Sequence, residues 1–181
     1  IGNLFLQVQD NAHALSEFEM ALKSEPKNAA ALAGAGRAAF ELGHYAKAMP
    51  YLERAAAEAP GNANSAARLR IARLVLEMDP FRQERRVRDR EQAVVNAFAT
   101  AGKRLGTCSA AETSEEKQML AQRWAGMNPQ VTISHLRANP DLINSAMSLV
   151  FRIERETQDI CGAGSDEDAA LLLIARNHEG L

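Results

Sequence analysis

Residues 41–62 read ELGHYAKAMPYLERAAAEAPGN, and the places of Gly43, Tyr45, Ala48, Leu52, Ala55 and Pro60 within it decide the fold. Sliding the chain along itself by 34 residues superposes Gly2 on Gly36, Ala14 on Ala48, Phe18 on Leu52, Ala21 on Ala55 and Pro26 on Pro60. A fixed period of this length marks a stacked array, in which each unit buries its apolar face against the next. Small residues (Gly36, Ala48, Ala55) stand where backbones must approach closely, and larger ones (Leu32, Phe40, Tyr45, Leu52) fill the space between. Gly43 caps the first helix of the unit, and Pro60 and Gly61 stop the second.

Composition agrees with an all-helical chain. The 181 residues are 46% hydrophobic but only 5% aromatic, with many good helix formers and few of the β-branched and aromatic residues that strands prefer. This length can bury a core, as one domain or two small ones. The net charge of -2 provides no global field for nucleic acid or an anionic membrane. No apolar run reaches the roughly 20 residues that span a bilayer, and the first residues lack the pattern of a signal peptide. Because Ile1 falls inside a predicted helix, further repeat sequence is expected upstream, and a missing leader says nothing about compartment.

A third unit is expected from Gly61, opening on a helix through NANSAARLRIARLVLEM with Asn62 as cap and Leu69, Leu74, Leu76 and Met78 apolar. The repeat then fails in DPFRQERRVRDREQ, so the array should end near residue 80. Beyond it, Asp79-Pro80 predicts an N-cap and a helix to about Leu105, with an apolar seam of Val87, Val94, Phe98, Ala101 and Leu105. Thr113-x-x-Glu116 predicts a capping box for a helix containing Met119, Leu120 and Trp124. Asn128-Pro129 and Asn139-Pro140 predict a short helix and then a long one over about 140–160, and Ser165-x-x-Asp168 opens a last helix.

On these residues the chain resembles the tetratricopeptide repeat family, whose pattern is W-x-x-L-G-x-x-Y, then A-x-x-x-F, then A and P. Ile1, Gly2, Phe5, Ala14, Phe18, Ala21 and Pro26 match one unit. Leu32, Ala35, Gly36, Gly43, Tyr45, Ala48, Leu52, Ala55 and Pro60 match the next. The resemblance implies that the first helix of each unit lines a concave groove that selects a peptide. By register the lining would be Asn3, Leu6 and Gln7, then Ala33, Arg37, Phe40 and Glu41, then Asn64, Ala67, Arg68, Ile71 and Leu74. This mixture of apolar anchors and arginines suits an extended or helical peptide carrying an acidic group. Some members grip a C-terminal carboxylate with lysines, asparagines and an arginine. Asn3 and Arg68 agree with that pattern, but Gly34 replaces an Asn and Asn64 a Lys, so the full clamp is not expected.

Cys108 and Cys161 each lie at the end of a predicted long helix. If those helices run side by side in parallel, the sulfurs can meet as a disulfide; otherwise they are two buried thiols behaving as small hydrophobes. A disulfide would favour an extracytoplasmic compartment, and free thiols the cytoplasm. His13, His44, His135 and His178 are scattered without ligand spacing, so no metal is expected. The five arginines of RQERRVRDR are interrupted by Glu84 and Asp89, with Glu84 and Arg88 spaced as an ion pair, which favours a solvated helix face. Arg82, Arg85 and Arg86 form a secondary candidate for phosphate, nucleic acid or an acidic protein.

No glycine-rich phosphate loop, G-x-S-x-G or H-E-x-x-H occurs, so no catalytic residue or cofactor is assigned. The sequence therefore predicts an all-α chain: a tetratricopeptide-type solenoid over residues 1–80, then a C-terminal helical cap or bundle over 81–181 packed on it. The expected role is a non-catalytic scaffold for a protein or peptide of unidentified kind, with oligomerisation left open. The alternatives are a small-ligand or enzymatic C-terminal module, recognisable by a pocket with convergent polar residues, and an arginine-rich nucleic-acid contact.

Overall fold

The structure is a computed structural model that describes residues 1–83, 85–108 and 114–178. Ten α-helices and no strand occur among these residues. The chain divides into two compact units, Ile1–Leu76 and Glu77–Leu181.

The first unit contains α1 (Gly2–Gln7), α2 (Asn11–Ser24), α3 (Ala29–Glu41), α4 (Tyr45–Glu58) and most of α5 (Ala63–Met78). Its 34-residue period is visible in the backbone. Asn28 caps α3 by accepting from the Ala31 N–H at 2.9 Å, and Asn62, one period later, accepts from Ser65 N–H at 3.0 Å. Capping of this kind contributes about 1 kcal/mol each. After α3, Gly43 adopts φ 75°, and the N–H groups of Gly43 and His44 return to the carbonyls of Phe40 and Ala39. The Gln9 and Asp10 N–H groups make the same pair of bonds to Leu6 and Phe5. Here, however, the left-handed residue is Gln9, at φ 59°.

Packing follows the small-and-large pattern. The Phe18 ring lies where a Cβ on Gly34 would be and 2.8 Å from a Cβ built on Gly2, so both glycines make room for one ring. Leu52 covers Gly36 in the same way, at 2.7 Å from a built Cβ. Ala14, Leu32, Ala35, Ala48 and Leu52 are all fully buried. Glu19 ties α2 to α4 by accepting from the Tyr51 hydroxyl at 2.8 Å and pairing with Lys47 at 2.9 Å. The Lys47 contact, outweighing burial and aided by the Tyr51 hydroxyl, holds the Glu19 carboxyl below its ordinary value, while burial and then Glu19 push the Tyr51 phenol up to about 12. In α5 the buried positions are Ser65, Ala72, Val75 and Met78, whereas Leu69, Leu74 and Leu76 are half-buried.

The second unit contains α6 (Val87–Thr107), α7 (Glu115–Met127), α8 (Ile133–Ala138), α9 (Asp141–Cys161) and α10 (Asp166–Asn177). Helix α9 packs against α6, α7, α8 and α10 and is the centre of the core. The expectation that a helix starts at Pro80 is corrected. Asp79 is buried and turns its carboxylate onto the Phe81 N–H at 2.9 Å, which shapes a turn, and α6 begins only at Val87. Val87 is accordingly 68% exposed and leaves the seam, which Val94, Phe98, Ala101 and Leu105 keep. Glu91 takes a buried place instead, its two carboxylate oxygens held by Arg137 of α8 at 3.2 and 2.8 Å. Trp124 lies flat on Phe98, with ring centroids 5.6 Å apart, and its indole N–H donates to the Phe98 carbonyl at 2.9 Å. Gly102 admits that ring, because a Cβ there would fall on it.

Helix α7 starts after Ser114, whose hydroxyl accepts from the Lys117 N–H; the expected cap at Thr113 lies outside the described residues. Asn128-Pro129 opens only a 3-10 turn, and Thr132 is the cap that starts α8. The Ser165 and Asp168 capping box of α10 is present in both directions.

Candidate partner-binding site

The predicted groove residues separate by exposure. Asn3 and Gln7 on α1, Arg37 and Glu41 on α3, and Asn64 on α5 are exposed, while Ala33, Ala67, Arg68, Ile71 and Leu74 are half-buried. Leu6 and Phe40 are buried at 7% and 8% exposure, and Phe40 meets Tyr45 edge to face with centroids 5.2 Å apart. Both belong to the core and cannot anchor a ligand in this conformation, which corrects their assignment to the lining. Helical spacing alone does not distinguish a residue at the margin of a buried face from one just outside it.

Two observations relate the first helices of successive units. Helix α1 contacts α3. Arg68 on α5 pairs with Glu41 on α3 at 3.5 Å, both side chains being partly exposed. Asn3, Gln7, Arg37 and Asn64 are not joined to one another by hydrogen bond or ion pair among the described residues, and Arg37 has no ion pair there. The absence of the clamp asparagine has a packing cause, since any side chain at position 34 would collide with Phe18.

The secondary arginine candidate fares differently. Arg82 and Arg86 are exposed, but Arg85 is half-buried and occupied. Its guanidinium donates to the carbonyls of Asp79 at 2.5 Å, Asp89 at 3.2 Å and Glu77. Burial, followed by Arg82, makes its charge harder to hold. Arg85 thus closes the segment ahead of α6, and the three side chains do not share a helix face as expected. The Glu84 and Arg88 pair lies outside the described residues.

Cys108 and Cys161 form a disulfide with Cα atoms 5.7 Å apart, closing a sequence separation of 53. Of the two alternatives, the structure adopts the bonded one, at the joint C-terminal ends of α6 and α9. One turn earlier, Arg104 donates to the Thr157 hydroxyl at 3.3 Å and to the carbonyls of Thr157 at 3.2 Å and Gly162 at 2.5 Å. The crosslink and this arginine fasten the same pair of helix ends.

Three features were not foreseen. Glu154 is 1% exposed, with neither carboxylate oxygen hydrogen-bonded among the described residues. His178 reaches Asp79 at 3.2 Å and packs on Phe81 with centroids 4.8 Å apart. A cavity of about 540 Å³ opens between α7 and α9. Each joins residues far apart in the chain, so no local pattern announces it. Among the described residues no cluster of three or more His, Cys, Asp or Glu could hold a metal, and no helix is long and apolar enough to cross a membrane.

The model of the tetratricopeptide repeat family matches residues 1–63. That N-terminal part is a tetratricopeptide repeat segment within an all-α chain, and such a segment points in general to protein–protein interaction. The match ends at the start of α5. No curated protein and no solved structure matches the chain.

Proposed function

We propose that the N-terminal unit is a non-catalytic scaffold that binds a peptide or protein segment along the face bearing Asn3, Gln7, Arg37, Glu41, Asn64 and Arg68. The observation that carries this is the pairing of half-buried Arg68 with exposed Glu41, which joins side chains of two successive first helices. Half-buried Ala33, Ala67, Ile71 and Leu74 supply the apolar part of that lining. Arg37, exposed and without an ion pair among the described residues, is the group that selects an acidic side chain or carboxylate. Stacked helices present the face ready formed, so little ordering entropy is lost on binding. A disulfide persists in oxidising surroundings, which favours an extracytoplasmic setting.

The test is co-purification from native extract with wild type and an R37E/R68E variant. Phe40 is left untouched because its loss would unpack the core. Partners retained by wild type and lost by the variant are expected; equal retention by both would sink the proposal.

A further inference from the structure

We propose that the cavity between α7 and α9 is a binding site for a small organic anion, a carboxylate or phosphate monoester carried on a compact apolar body. The cavity encloses about 540 Å³ and is lined by Arg123, Met127, Gln130, Ser148, Leu149 and Arg152, among others. This volume lies within the range of small-molecule sites, which are apolar-walled with a few convergent polar groups. Met127 and Leu149 are apolar members of the lining, and two guanidiniums, an amide and two hydroxyls, of Ser145 and Ser148, are its polar members.

Charge selects the ligand's sign. None of the described lining residues is acidic. Arg152 shares its charge with Glu116 at 2.7 Å, a pair exposed on both sides, whereas Arg123 makes no ion pair among the described residues. The Ser148 hydroxyl is likewise without a hydrogen bond there. The site thus keeps one uncompensated cation and one idle hydroxyl, and guanidinium matches the planar oxygens of carboxylate and phosphate. A second cavity, of about 360 Å³, carries no net positive charge, since Glu167 and Asp168 line it beside Lys103 and Arg104, and Arg104 is already committed to carbonyls.

The test is NMR titration of isotope-labelled full chain, reading the Met127 methyl and the Gln130 and Ser148 amides. The probes are 4-phenylbutyrate and phenyl phosphate, with 4-phenylbutanamide as the uncharged control. Saturable shifts with a dissociation constant of about 1 mM or tighter are expected for at least one acid probe, and which one binds identifies the headgroup. R123Q and R152Q should each weaken that probe roughly tenfold. Unchanged Trp124 fluorescence in both variants would verify that they fold. The proposal is overturned if neither acid moves these signals at about 10 mM, a concentration well above that of a specific site. It is equally overturned if the amide binds as well as the acids, or if folded R123Q and R152Q bind like wild type.

Discussion

At Gln9 and at Glu154 local chemistry opposes the fold. Gln9 holds φ 59° where the next unit has Gly43, with the same two backbone bonds closing the helix. A side chain in left-handed backbone costs about 1–2 kcal/mol, part of which glycine returns as chain entropy in the unfolded state. Gln9→Gly is therefore expected to stabilise the protein by roughly 0.5–1 kcal/mol in urea unfolding, and a loss of stability would contradict the strain. The Gly43 cap was legible in the sequence because glycine advertises its backbone; its counterpart at Gln9 was not, because the residue there hides it. Glu154 was equally illegible, since its environment is built from α6, α9 and α10. Burial, with Asp168 adding and Arg104 opposing, pushes its carboxyl up to about 8 from 4.5. The native state then keeps a proton that the unfolded chain has released, so stability falls as pH rises from 4.5 to about 8 and levels off above. Glu154→Met should remove that slope, with a gain of about 2–5 kcal/mol at the alkaline end and a smaller one in acid. Parallel pH profiles for variant and wild type would show that Glu154 does not carry this slope.

At the level of helices, glycine shows how contact decides the sign of a substitution. Replacing a helical glycine by alanine ordinarily gains about 1 kcal/mol. Gly106 in α6 has open space where a Cβ would go, and Gly106→Ala should gain roughly 0.5–1 kcal/mol. At Gly34 the same change drives a methyl group into the Phe18 ring, and overpacking of about 1–3 kcal/mol outweighs the propensity gain. Thermal unfolding of the pair should move in opposite directions, and a stabilised Gly34→Ala would refute the packing described. The helices of the repeat were legible because caps, small residues and apolar spacing agree within each 34-residue period. The start of α6 was misplaced because Asp79-Pro80 is an equally good beginning for a helix or a turn. Asp79, bonded to the Phe81 N–H, and Arg85, folded back onto the carbonyls of Glu77 and Asp79, together hold the turn. The exposure of Asn3, Gln7, Arg37, Glu41 and Asn64 was legible from register, whereas burial of Leu6 and Phe40 depends on neighbours that one helix does not specify.

On the scale of the whole molecule, the two units carry separate optical reporters. Both tyrosines, Tyr45 and Tyr51, belong to residues 1–76, and the single tryptophan, Trp124, belongs to residues 77–181. The disulfide lies wholly within the second unit, so breaking it removes a constraint on that unit's unfolded chain alone. For a loop closed over 53 residues the chain-entropy model gives roughly 4 kcal/mol, and the Arg104 bonds at the same helix ends retain part of the native geometry after reduction. Urea unfolding with and without dithiothreitol should then shift the tryptophan fluorescence midpoint down by the equivalent of about 2–4 kcal/mol. The tyrosine absorbance midpoint should stay in place. If both midpoints fall together, the chain unfolds as one cooperative body, and the crosslink stabilises the repeat through the unit that contains it.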